Sequence, residues 1–141
     1  MTDTQASLDE PIHSQADLHA RWAALMGELG FSRRALWCAL VDPDRRMVPH
    51  VTQIDDVPVR ADLEQVAGFL GTWRHILDGS EPGTTVALLL SRPGRAGMDE
   101  SDRTWARTLA TTARYLRVPL ETIHLATDAE LVAFAPDDLA S

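Results

Sequence analysis

The sequence predicts one α/β domain built on a mixed sheet of about five strands with helices on its faces. Three observations predict it. Apolar runs and helical stripes alternate along the chain in the order α-β-β-α-β-α-β-β. The most apolar run, Thr84–Leu90, is followed by a helix and then another strand, the crossover that parallel neighbours require. The chain has 141 residues, enough for one core and not for two.

Each element has its own signal. Residues 1–13 are polar with little to bury and read as a disordered lead-in to a globular domain over 14–136. Ser14 opens the first helix: "SQAD" approximates a capping box, with Asp17 where Glu or Gln is usual. Leu18, Trp22, Leu25, Met26 and Leu29 share one helical face, and Gly30 is the expected stop. "ALWCALV", Ala35–Val41, is apolar throughout, as a strand covered on both faces should be. Asp42–Arg45 is a turn around Pro43, and Met47–Asp55 is the returning strand. Pro49 places that strand at an edge or at a bulge.

The second helix carries the stripe Leu63, Val66, Phe69, Leu70, Trp73, Ile76 and Leu77. Asp62 and Glu64 stand at its positive end, and Gly79 ends it. Thr84–Leu90 is the third strand, placed centrally because it is the most apolar. A third helix is expected over Glu100–Arg117, with Trp105, Leu109, Ala113 and Leu116 inward. Pro119–Thr127 and Glu130–Ala135 form a last hairpin turning at Asp128 and Ala129. Residues 137–141 are expected to fray.

Composition narrows the function. The net charge of −8 disfavours nucleic acid as a partner, because neutralising phosphates needs a basic face. The apolar runs fall far short of the ~20 residues of a membrane helix, and the acidic N-terminus lacks the features of a signal peptide. No membrane association and a cytoplasmic location are therefore expected. All 13 basic residues are Arg, so no P-loop lysine or Schiff-base lysine exists. The lack of Lys and Asn, beside abundant Ala and Arg, reads as the imprint of a GC-rich, bacterial genome. A single cysteine, Cys38, excludes an internal disulfide framework. Its apolar run marks it as a small core residue rather than a nucleophile.

The segment "LLLSRPGRAGMDESD", Leu88 to Asp102, has the outline of a site: a strand end, a loop and a helix start. Arg92 and Arg95 stand in the loop with Ser101 and Asp102 in the helix beyond it. This set suits a carboxylate or phosphate ligand; equally, the acids cap the helix and hold solvated arginines. The five histidines have no metal-ligand spacing, though His50 and His124 lie on expected strands that bring them within reach of one another. No metal and no cofactor are expected. Trp22, Trp73 and Trp105 recur at core spacing, which also suits an apolar dimer face.

The element order and the "LLLSRPG…ESD" segment together resemble the RadC-like branch of the JAB/MPN metalloprotease-like domains, over roughly residues 34–134. That resemblance implies a three-layer α/β/α fold akin to cytidine deaminases. It places the family's two histidine ligands on Leu90 and Arg92 and its third ligand near Asp102. Leu has no lone pair and Arg keeps its proton, so neither holds zinc. The strand Met47–Asp55 also lacks the family's glutamate base. Zinc hydrolysis needs three ligands, an open water position and a base. The expected function is accordingly that of a non-catalytic, metal-free relative serving as a protein-interaction or dimerisation module. The alternative is a sensor or enzyme for a small anionic ligand held by Arg92, Arg95 and Ser101. A plain structural homo-oligomer, packed through the first helix, is the third possibility.

Overall fold

The computed structural model describes residues 10–139. Five strands and four helices are assigned among them: α1 (Gln15–Met26), β1 (Ala35–Val41), β2 (Thr52–Asp55), α2 (Leu63–Asp78), β3 (Thr85–Ser91), α3 (Glu100–Tyr115), β4 (His124–Ala126), β5 (Leu131–Ala133) and α4 (Pro136–Leu139). The sheet order is β2-β1-β3-β4-β5. β1 is antiparallel to both β2 and β3, β3 and β4 are parallel, and β4 and β5 close as an antiparallel hairpin. The sheet is mixed, and β3 is central as its unbroken apolar run requires.

Alternation along the strands divides the core in two. Val86, Leu88 and Leu90 of β3, with Leu36 and Cys38 of β1, pack against Val66, Leu70 and Trp73 of α2 and Trp105 and Leu109 of α3. Ala87 and Leu89 point the other way and, with Ala39 and Val41, meet Leu18 and Trp22 of α1. α1 therefore covers one face while α2 and α3 cover the other.

Helix starts follow the capping residues in the sequence. Ser14 Oγ accepts from the Asp17 amide at 3.1 Å, while Asp17 reaches past the cap to the His13 amide at 2.9 Å, so the box stays approximate. Asp62 Oδ1 accepts from the amides of Glu64 and Gln65 at 2.9 and 3.3 Å.

Several boundaries differ from expectation, each for a local reason. α1 stops at Met26, not near Leu29: Gly27, rather than Gly30, takes the left-handed φ of 61°. The returning strand is interrupted. Met47 bridges to Val41, pairing lapses around Pro49, and β2 resumes only at Thr52. α3 ends at Tyr115, and Arg117 turns the chain with φ 61°. The run after it touches β3 at Leu120 before joining it properly at His124.

Residues 1–9 of the expected lead-in lie outside the described residues, but its end is not a loose polar segment. Ile12 is 1% exposed in the α1-side core, and its carbonyl accepts from Arg45 Nε at 2.9 Å. The expected frayed tail begins instead as the short α4, held by Arg103 to Asp138 at 3.3 Å; residues 140–141 lie outside the described residues. Among the described residues no helix is long and apolar enough to cross a membrane.

Candidate functional site

β3 delivers Ser91 and Arg92 to the end of the sheet, and the chain then loops back to start α3 at Glu100. Arg92 is 5% exposed and Asp102 is fully buried. Arg92 Nε donates to both Asp102 oxygens at 2.9 and 3.1 Å, and Nη2 donates to Oδ2 at 2.8 Å. The same Nη2 also donates to the carbonyls of Ala96 and Gly97 at 3.1 and 2.9 Å. The guanidinium is thus the form around which the loop is wrapped.

Asp102 serves more than Arg92. Its Oδ2 accepts from the Asp99 amide at 3.0 Å, and the Asp102 amide donates to Asp99 Oδ1 at 2.9 Å, which completes a capping box on α3. Arg34, at the entry to β1, comes within 3.6 Å of Oδ1. Burial pushes the Asp102 carboxyl upward, but the bonds from Arg92 and Asp99 and the guanidinium charge outweigh it, leaving the group below its ordinary value. The pair stays ionised and satisfied.

Of the four expected site residues, Arg92 and Asp102 are joined to each other. Arg95 turns away and donates to the Asp128 carbonyl at 3.4 Å. Ser101 lies half-buried in the first turn of α3. They do not converge on a common point. The acids have also taken amides at the α3 N-terminus that an anion would use.

Two features escaped the sequence reading. Asp128, expected only as a turn residue, ties three segments: its carboxylate accepts from the amides of Phe31 and Gly94 at 2.8 and 2.7 Å, and its own amide donates to the Gly94 carbonyl at 2.9 Å. Those amide donors hold its carboxyl below the ordinary value. The second is His124. Its expected partner, His50, is exposed, and the ring beside it is that of His19, 5.8 Å away between centroids. His124 Nδ1 donates to the Thr122 carbonyl at 3.1 Å, which leaves Nε2 as a bare acceptor. That buried nitrogen has no partner among the described residues, and nor has the buried Trp22 Nε1. Burial pulls the His124 pKa down to about 4.

Cys38 is 1% exposed, and burial pushes its thiol well above its ordinary value, so it carries no thiolate at neutral pH. Among the described residues no three His, Cys, Asp or Glu side chains gather closely enough to hold a metal ion.

Two cavities flank β2, one on each face of the sheet. That on the α1 side, about 570 Å³, is lined by Glu28, Arg33, Trp37, Gln53, Asp55 and Ser91 among others. Trp37 Nε1 donates to Ser91 Oγ at 2.8 Å in its wall. That on the α2 side, about 300 Å³, is largely apolar, with Ile54, Val57, Phe69 and Trp105 in its lining. No protein-family model matches the chain, and no curated protein matches it.

Proposed function

We propose that this chain is a non-catalytic, metal-free domain of JAB/MPN-like architecture that acts in the cytoplasm as a protein-interaction or dimerisation module. The observation that carries the reading is the Arg92–Asp102 pair. Where the resembled family places metal ligands, this chain buries an ion pair whose hydrogen bonds close on the loop itself. A loop folded around its own arginine commits that guanidinium to the frame rather than to a substrate. The arrangement of β1, β3 and α3 around that loop fits the three-layer architecture.

The anionic-ligand reading has less support. Arg92 and Arg95 point to different partners, and Asp99, Glu100 and Asp102 crowd the α3 N-terminus with negative charge. Elemental analysis of purified protein, with zinc added back after chelation, tests the proposal. The expected result is no stoichiometric zinc and no rise in melting temperature on adding it. Chelator-resistant zinc at one ion per chain overturns it.

A further inference from the structure

We infer that the free edge of β2 is a docking site for an extended segment of a partner protein, one that alternates apolar and basic side chains. This inference rests on the interaction-module reading above and names the partner's chemistry.

Among the described residues β2 is the edge strand of the sheet, hydrogen-bonded to β1 alone, and all four of its residues are exposed. In an antiparallel ladder, alternate residues aim their N–H and C=O away from the neighbouring strand. An added strand takes those groups and places its own side chains alternately on the two sheet faces.

Both faces are prepared, and differently. Ile54 stands opposite Leu36 in the ladder, on the α2 side, at the apolar cavity floored by Phe69 and Trp105. Beyond β2, Val59 and Leu63 remain 56% and 66% exposed. Gln53 and Asp55 stand opposite Trp37 and Ala35, on the α1 side, at the polar cavity. There Glu28 and Asp55 line the wall with Arg33, and Arg33 is engaged by Asp56 at 3.2 Å. In that wall two carboxylates, Glu28 and Asp55, meet one guanidinium, which Asp56 from the lining of the opposite cavity already engages, and this leaves the side negative. An incoming strand is matched by apolar groups on the first side and cations on the second.

The same charges decide against a second copy of this chain as the occupant. A second copy would present a β2 with no basic side chain and the same exposed Asp55 and Asp56, in a chain of net charge −8. Acids on a short edge strand discourage self-pairing while leaving the edge open to a basic partner.

The test uses the full chain labelled for amide NMR and short synthetic peptides: alternating Val/Arg, alternating Val/Glu, and a block peptide of the Val/Arg composition. The alternating Val/Arg peptide is expected to shift the amides of Thr52–Asp55 and bind most tightly. Asp55→Arg and, independently, Ile54→Lys are each expected to weaken it about tenfold. Both positions are exposed, so folding should survive either change. Shifts that map elsewhere, equal binding of the block peptide, or no binding up to roughly 1 mM overturn the inference. A dimer abolished by Ile54→Lys also overturns it, by making a second copy the occupant, yet leaves the module reading standing. Chelator-resistant zinc removes the module reading whatever the peptides do.

Discussion

Arg92 and Asp102, ten residues apart in the chain, meet with Nη2 2.8 Å from Oδ2 and both side chains out of solvent. A buried pair of this kind is costly to break from one side, because the survivor is left charged and unpartnered. Arg92→Met is expected to cost about 3 kcal/mol in chemical denaturation, since Asp102 then loses its main counter-charge. The double change Arg92→Met with Asp102→Leu is expected to recover much of that loss. If the single variant is as stable as the parent, the pair is not what organises the loop.

The acid limb of stability follows from the same carboxylate. Asp102 and Glu121 are both held below their ordinary values, Asp102 by Arg92 and Asp99 against the opposing effect of burial, Glu121 foremost by its bonds to Arg45. A depressed folded pKa contributes stability above the unfolded value, ~4 for these groups, and loses it as pH falls through the folded value. Urea titrations from pH 5 downward are expected to show falling stability that Asp102→Asn and Glu121→Gln each flatten. A parent curve unchanged by either variant would remove these groups as its cause.

His124 acts at higher pH with the same sign. Its folded pKa lies near 4 because burial disfavours the cation, while the unfolded ring titrates near 6.5. Between those values the unfolded chain binds the extra proton, so stability is full above pH ~6.5 and declines toward pH 4 by about 3 kcal/mol. His124→Leu is expected to abolish this slope, and it also removes the unpartnered Nε2. NMR titration of the ring gives the direct check: a folded pKa near 6.5 would contradict the account.

Two glycines three residues apart offer a backbone test. Gly27 has φ 61°, whereas Gly30 has no such value and open space where a Cβ would stand. Gly27→Ala is expected to cost about 1 kcal/mol, and Gly30→Ala about 0.5 kcal/mol or less in either direction. Thermal melts of the two variants in parallel decide between them.

The sequence made β1 and β3 legible because a strand covered on both faces is an unbroken apolar run. Ser14 is legible as a cap because capping needs only a short oxygen-bearing side chain at the right offset, whereas Asp62, readable as a charge at the positive end of α2, shows its capping bonds only in the fold. Gly30 reads as the stop of α1 because it follows the last residue of the apolar stripe, and only the backbone shows that Gly27 is the one with positive φ. Arg92 and Asp102 were singled out, but an arginine in a Pro-Gly loop reads as solvated or ligand-binding. Its burial depends on how the loop folds back upon α3. His19 and His124 are farther still from legible, because α1 and β4 are brought together only by the finished sheet.

The four tryptophans give this molecule a built-in optical gauge. Trp22, Trp73 and Trp105 are enclosed, at 0%, 8% and 4% exposure, while Trp37 is half-buried in the wall of the polar cavity beside β2. Trp105 forms part of the apolar cavity on the opposite face of the same strand. Emission from a chain retaining only Trp37, or only Trp105, therefore reports on one side of β2 at a time, and the two spectra separate events on the two faces without any attached dye.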